Sequence, residues 1–211
     1  MTVRDPRLRG LYAITDPGLC GDELLAMAEA ALSGGARLLQ YRNKQADPIR
    51  QRAEAIALAD LCRQHDALFL VNDDPQLALT AGADGVHLGQ SDTGIDASRE
   101  LLGTDAIIGI TCHADLELAR QAQARGAGYV AFGRFYPSRT KPDAPPASLD
   151  VLRRARTELE LPICAIGGIL PEHVPELHEA GADMVAVIHG IFGAADVAAA
   201  ARAYTGQAVW K

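Results

Sequence analysis

What this sequence lacks narrows its class. No window approaches the roughly 18 uninterrupted apolar residues of a membrane span, and the opening run Met1-Thr2-Val3-Arg4-Asp5-Pro6 has no apolar core of a signal peptide. The expectation is a cytoplasmic protein. No Ser/Gly-rich linker or composition shift divides the 211 residues, so the chain is read as one domain spanning 1–211. Cysteine is scarce and scattered: Cys20, Cys62, Cys112 and Cys164 form no CxxC pair, which argues against structural zinc or a disulfide framework and for reduced thiols. Excess positive charge is missing too. A formal charge of −7 gives no long-range attraction to nucleic acid or anionic lipid, so the expected partners are small molecules, with self-association left open. Any anion site has to be local.

The 48% hydrophobic and 22% charged content that remains is ordinary for a soluble globular protein. Short apolar strands alternate with alanine-rich amphipathic helices throughout. Strands are expected at Leu11 to Thr15, Arg37 to Tyr41, Leu68 to Val71, Gly85 to Leu88, Ala106 to Ile110, Tyr129 to Phe132, Ile163 to Ile166 and Met184 to Ile188. Helices are expected near 22–33, 48–64, 75–81, 96–102, 114–125, 148–159, 171–179 and 194–203. Asp47-Pro48, Asp74-Pro75 and Leu170-Pro171 put proline in a first helical turn, where a missing N–H costs little. Gly34, Gly82, Gly126 and Gly181 each follow a helix, where a left-handed residue favours glycine. The turns Ala81-Gly82-Ala83-Asp84, Arg125-Gly126-Ala127-Gly128 and Ala180-Gly181-Ala182-Asp183 are near copies. Eight such units indicate a (β/α)₈ TIM barrel, with functional residues on the loops after the strands. An open doubly wound sheet is the alternative, but its GxGxxG fingerprint is absent after the first strand, where Ile14-Thr15-Asp16-Pro17-Gly18 stands.

Each chemically promising motif falls at a strand end. Gln40, Arg42 and Lys44 share one face of the second strand at period two, which aims two cations over the barrel mouth if that face points inward. After the third strand, Asp74 precedes proline and an apolar helix and is read as an N-cap. Asp73 has no such duty. With Asp92, after the fourth strand, it forms a hard oxygen pair suited to Mg²⁺, which takes one or two protein carboxylates and completes its shell with water and phosphate. Phe132 to Pro142 gathers the hydroxyls and cations Ser138, Arg139, Thr140 and Lys141, as a phosphate or diphosphate ligand requires. Gly167-Gly168 ends the seventh strand and Ile188-His189 the eighth, where barrels bind phosphate monoesters through backbone N–H groups. A bound diphosphate brings roughly three negative charges. Arg42, Lys44, Lys141 and Mg²⁺ together balance those and the two aspartates.

Across nearly its full length the chain resembles the thiamine-phosphate synthase family, a (β/α)₈ family. The resemblance rests on Leu11 to Asp16, Gln40 to Lys44, Val71-Asn72-Asp73, Ala83 to Asp92, Gly109 to His113, Phe132 to Lys141 and Ala165 to Ile169. It implies a transferase that joins 4-amino-2-methyl-5-pyrimidinylmethyl diphosphate to 4-methyl-5-(2-phosphoethyl)thiazole, giving thiamine phosphate and diphosphate. On this resemblance Gln40, Tyr41, Arg42, Asn43, Lys44, Asn72, Thr111 and Lys141 hold the pyrimidine diphosphate, and Asp73 and Asp92 hold Mg²⁺. Ser138, Arg139, Thr140, Gly167, Gly168, Ile188 and His189 hold the thiazole phosphate. Arg42, Lys44 and Lys141 stabilise the departing diphosphate. The family commonly has serine where Thr111 and His189 stand, threonine where Ser138 stands and proline where Arg134 stands. Only His189 gives up a hydroxyl. A thiazole tautomerase type of barrel and a non-catalytic phosphate-binding barrel are the rival readings.

Overall fold

The computed structural model of the protein describes residues 5–140 and 145–210. Eight strands form: β1 (Gly10–Ile14), β2 (Leu38–Tyr41), β3 (Leu68–Asn72), β4 (Gly85–Leu88), β5 (Ile107–His113), β6 (Tyr129–Gly133), β7 (Ile163–Ile166) and β8 (Met184–Val187). Each pairs in parallel with its sequence neighbour, and β8 pairs with β1, so the sheet is the expected closed barrel. Around it run α1 (Pro17–Cys20), α2 (Leu24–Ser33), α3 (Pro48–Gln64), α4 (Pro75–Ala81), α5 (Ile95–Leu102), α6 (Leu116–Ala124), α7 (Leu149–Glu158), α8 (Val174–Glu179), α9 (His189–Phe192) and α10 (Val197–Thr205).

Strand alternation divides the apolar side chains between two cores. Tyr12, Ile14, Leu38, Leu68, Leu70, Ile107, Tyr129, Cys164 and Met184 cluster along the barrel axis. Leu11, Leu39, Phe69, Val71, Val86, Ile108, Val130 and Val185 face the helices. Alanines 28, 31, 55, 59, 119, 122 and 155 form much of the helical contribution to that outer core, and their small side chains let helices lie close to the strands. Burying one Leu or Phe in either core contributes about 1.5–3 kcal/mol.

Helix starts follow the aspartates. Asp47 accepts from the N–H groups of Ile49 and Arg50, both at 3.0 Å, and Asp74 accepts from Leu77 N–H at 2.9 Å. The repeated turn has a definite job. Gly82, Gly126 and Gly181 all take positive φ, and in two copies the closing aspartate caps the start of an earlier strand: Asp84 accepts from Phe69 N–H and Asp183 from Ile163 N–H, each at 2.8 Å. Gly34 departs from expectation. Its φ is −77°, and the left-handed residue is Gly35 at +99°. A Cβ at Gly34 would lie 2.5 Å from that of Ala201, so glycine stands there to let α2 approach α10.

The structure also extends β5 through His113, beyond the expected end at Ile110, across a register shift between Thr111 and His113. The first helical stretch begins at Pro17, and the short α9 precedes α10 after β8; neither was expected. Both are a single turn long, below the length at which hydrophobic periodicity can be counted.

Candidate active site

The inward parity of β2 continues past its end. Gln40 points to the axis, 2% exposed, and donates to the Tyr12 hydroxyl at 2.6 Å. Arg42 is held at the rim: its N–H donates to Thr15 Oγ1 at 2.9 Å, and its guanidinium lies 3.6 Å from Asp16. The Lys44 ammonium reaches across to Asp73 at 2.6 Å. The opposite parity behaves differently. The Tyr41 hydroxyl donates to Glu54 on α3 at 2.6 Å, and Asn43 donates to the same carboxylate oxygen at 3.2 Å. Asn43 Oδ1 also accepts from the N–H groups of Gln45 and Ala46, both at 3.1 Å. Tyr41 and Asn43 therefore brace the loop that carries Arg42 and Lys44, and they also line a hollow of about 160 Å³ together with Lys44, Asn72 and Asp73. A cavity of about 390 Å³ lies beside them, between the loops after β1 and β2, lined by Thr15, Arg42, Asn43, Arg50 and Glu54 among others.

Asp73 has φ +64°, a left-handed conformation in a residue with a Cβ. Such a backbone costs on the order of 1–3 kcal/mol and persists only where its surroundings enforce it. Here the Asp73 N–H donates to the His87 carbonyl at 2.8 Å and so ties the ends of β3 and β4 together. Burial raises the Asp73 carboxyl, but hydrogen bonds from Lys44, Asp92 and Asn72 outweigh it and hold the group below its ordinary value. Asp92 shifts the other way. Burial and the facing Asp73 raise it, against a hydrogen bond from Gly89 N–H at 2.7 Å.

Two aspartates in contact, one pushed up by the other, form an acid pair that a cation would relieve. Among the described residues no group of three or more His, Cys, Asp and Glu side chains could hold a metal ion. Mg²⁺ needs only one or two carboxylates. Asp73 and Asp92 fit it.

The other side of the mouth is built differently. Gly167 and Gly168 have φ +104° and +64°, and a Cβ on Gly168 would meet the Pro137 carbonyl at 2.3 Å. The turn thus lies flat against the loop after β6, joined by Tyr136 N–H to the Gly167 carbonyl at 3.0 Å. That loop presents half-buried Ser138, exposed Arg139 and half-buried Thr140. The Arg139 guanidinium approaches His189 Nε2 at 3.4 Å, which brings the loop after β6 to the loop after β8, next to Ile188. Lys141 and Pro142 lie outside the described residues.

A family model described as thiamine monophosphate synthase matches residues 11–191. The chain belongs to the thiamine monophosphate synthase family. It is 58% identical over 200 residues to the thiamine-phosphate synthase of Alcanivorax borkumensis, covering 93% of this chain and 92% of that protein. It is 55% identical over 204 residues to the thiamine-phosphate synthase of Thioalkalivibrio sulfidiphilus, covering 96% of each. The thiamine phosphate pyrophosphorylase structure from Pyrococcus furiosus superposes with a TM-score of 0.86 at 35% identity, over 95% of this chain and 96% of that one.

In this member of the thiamine monophosphate synthase family, Tyr12, Tyr129 and His87, which the sequence does not single out, form a hydrogen-bonded line that reaches Thr111. Thr111 is joined to them: its Oγ1 lies 2.9 Å from His87 Nε2, and His87 Nδ1 lies 2.7 Å from the Tyr129 hydroxyl. Inward parity with Gln40 was the available signal.

Proposed function

We propose that the chain is a thiamine-phosphate synthase. It transfers the pyrimidinylmethyl group of 4-amino-2-methyl-5-pyrimidinylmethyl diphosphate to the ring nitrogen of 4-methyl-5-(2-phosphoethyl)thiazole. The bond between the methylene carbon and the diphosphate oxygen breaks with its electron pair on oxygen. The thiazole nitrogen lone pair forms the new C–N bond. Products are thiamine phosphate and diphosphate.

The observation that carries this reading is the line Lys44, Asp73, Asp92 beside Arg42 on one rim of the mouth. Two acids there make no sense as a bare diphosphate site, because they repel the ligand that the cations attract. Bound Mg²⁺, held by Asp73 and Asp92, would supply positive charge to the leaving diphosphate. Lys44 and Arg42 would face the diphosphate oxygens from this rim, and Lys141, which lies outside the described residues, would add a third cation. Asn72 and Thr111 orient the pyrimidine diphosphate. Ser138, Arg139, Thr140, the Gly167-Gly168 turn and the backbone at Ile188 and His189 receive the thiazole phosphate. Neither a nucleophile nor a general base is required; positioning and preorganised charge carry the rate. The chemistry uses small phosphorylated substrates and no membrane, and among the described residues no helix is long and apolar enough to cross one. A cytoplasmic location accords with that.

Incubating the pure protein with both substrates and Mg²⁺ tests the proposal. Thiamine phosphate and diphosphate should appear in equal amounts. Isomerisation of a thiazole carboxylate phosphate without coupling would favour the tautomerase alternative, and binding without conversion would favour a non-catalytic barrel. Curated relatives named as synthases at 55–58% identity support the first outcome.

A further inference from the structure

The barrel axis is packed with buried side chains, yet a line of polar groups crosses it. Gln40 Nε2 donates to the Tyr12 hydroxyl at 2.6 Å, and the hydroxyls of Tyr12 and Tyr129 lie 3.0 Å apart. The Tyr129 hydroxyl is 2.7 Å from His87 Nδ1, and His87 Nε2 is 2.9 Å from Thr111 Oγ1. Tyr12 is 1% exposed and Tyr129 is fully enclosed. Strands β2, β1, β6, β4 and β5 each contribute one member. The fold makes room for the line at a cost: a Cβ on Gly109 would fall 2.3 Å from the Tyr129 hydroxyl. Only glycine admits the ring.

Buried hydroxyls are tolerated when each proton finds an acceptor. A tyrosine hydroxyl has one proton to give. Tyr12 accepts from Gln40, so its own proton goes to Tyr129. Tyr129 then gives its proton to His87 Nδ1. That nitrogen is left without a proton of its own, so the ring carries its hydrogen on Nε2 and donates to Thr111 Oγ1. The last proton in the line is that of Thr111, which must be given outward. Burial raises both tyrosine hydroxyls above their ordinary range, so both stay protonated donors.

We propose that Tyr12 and Tyr129 are positioning residues: through this one-way line they fix His87 as the Nε2–H tautomer and turn the Thr111 hydroxyl into a donor facing the substrate mouth. The tautomer stands independently of the reaction. The role of the Thr111 proton toward substrate rests on the function proposed above. The whole direction hangs on the Gln40 amide, since an amide oxygen turned toward Tyr12 would reverse every bond in the line.

The test uses the full-length protein labelled with ¹⁵N-histidine, with the ring nitrogens read from long-range ¹H–¹⁵N spectra and His87 assigned by the signals lost in His87→Gln. The expected result is an unprotonated Nδ1 and a protonated Nε2 for His87 in the wild type. A protonated Nδ1 would overturn the proposal, and this measurement needs no variant to fold beyond the one used for assignment. Kinetics supply the second arm. Removing one hydrogen bond is worth about 1 kcal/mol, so Tyr129→Phe should lower kcat/KM for the pyrimidine diphosphate about fivefold. In a Thr111→Val background the same change should cost nothing further, because the two act as one unit. A second, equal loss in that background would overturn action through Thr111. Absence of any thiamine phosphate synthesis by the wild type would overturn the substrate-facing half alone, leaving the tautomer to be judged by its spectrum.

Discussion

The two halves of the barrel mouth are made of different materials. Along β1 to β4 the charge sits on side chains already in contact: Arg42 on Asp16, Lys44 on Asp73, and Asp73 on Asp92. Along β6 to β8 the surface is a double-glycine turn, a loop of hydroxyls and one long Arg139 to His189 approach at 3.4 Å. Contacting charges are held in place before a ligand arrives, which is what a leaving group developing high charge demands. A phosphate monoester that takes no part in bond breaking needs only to be seated, and backbone N–H groups opened by glycine can do that. Under the proposed function, this contrast would make the first half a reacting side and the second a holding side.

The sharpest attack on that division is to remove charge from the reacting side. Asp92→Ala should lower turnover about a hundredfold or more, while circular dichroism and thermal unfolding stay near wild type. Exhaustive chelation should do the same to the unmodified protein, with activity restored by Mg²⁺. Turnover that survives either treatment would mean that the acid pair is incidental and the two halves are not functionally distinct.

On the holding side the expected loss is smaller and of another kind. Gly168→Ala forces a Cβ into a φ of +64° and to within 2.3 Å of the Pro137 carbonyl. The strain should cost about 1–3 kcal/mol of stability and raise KM for the thiazole phosphate more than for the pyrimidine diphosphate. An equal rise for both substrates would erase the contrast.

Glu54 tests what braces the reacting side from behind. Its burial raises the carboxyl, but hydrogen bonds from Tyr41, Arg50 and Asn43 prevail and hold it below its ordinary value. A depressed carboxyl contributes stability above the ordinary carboxylate range and loses it as pH falls through the folded value. Glu54→Gln should therefore cost about 1 kcal/mol at neutral pH, and the gap to wild type should close in acid. Thermal unfolding at several pH values measures both. A gap independent of pH would show that the carboxylate charge has no part in the brace.

Sequence patterns reveal some of this and conceal the rest for physical reasons. The strands, the Asp74 cap and the helix start at Asp47-Pro48 are local, written in spacing and in proline, and they were legible. Gln40, Arg42 and Lys44 announced a face by their period. Tyr41 and Asn43 stand between them in sequence but turn to Glu54 on α3, because alternation along a strand outranks adjacency. Tyr12 and Tyr129 read as ordinary core residues. Only closure of the barrel brings their hydroxyls together across 117 positions of chain, and nothing local encodes that contact. The left-handed role expected of Gly34 falls to Gly35 for the same reason, since the decisive neighbour, Ala201 on α10, lies far along the chain.

The smallest expected effect bears on His189, just after β8 on the holding side. The Arg139 guanidinium can only donate, so at 3.4 Å the His189 ring nitrogen accepts from it. A side chain that accepts from the arginine competes with phosphate for the same donor. His189→Ser shortens the side chain and frees that donor, while the hydroxyl can itself reach a phosphate oxygen. An exposed hydrogen bond of this kind is worth well under about 1 kcal/mol, so KM for the thiazole phosphate should fall by about twofold to threefold, as steady-state kinetics would register. A rise in KM would mean that the ring contacts the phosphate directly, giving the holding side a cationic side chain of its own and narrowing its contrast with the reacting side.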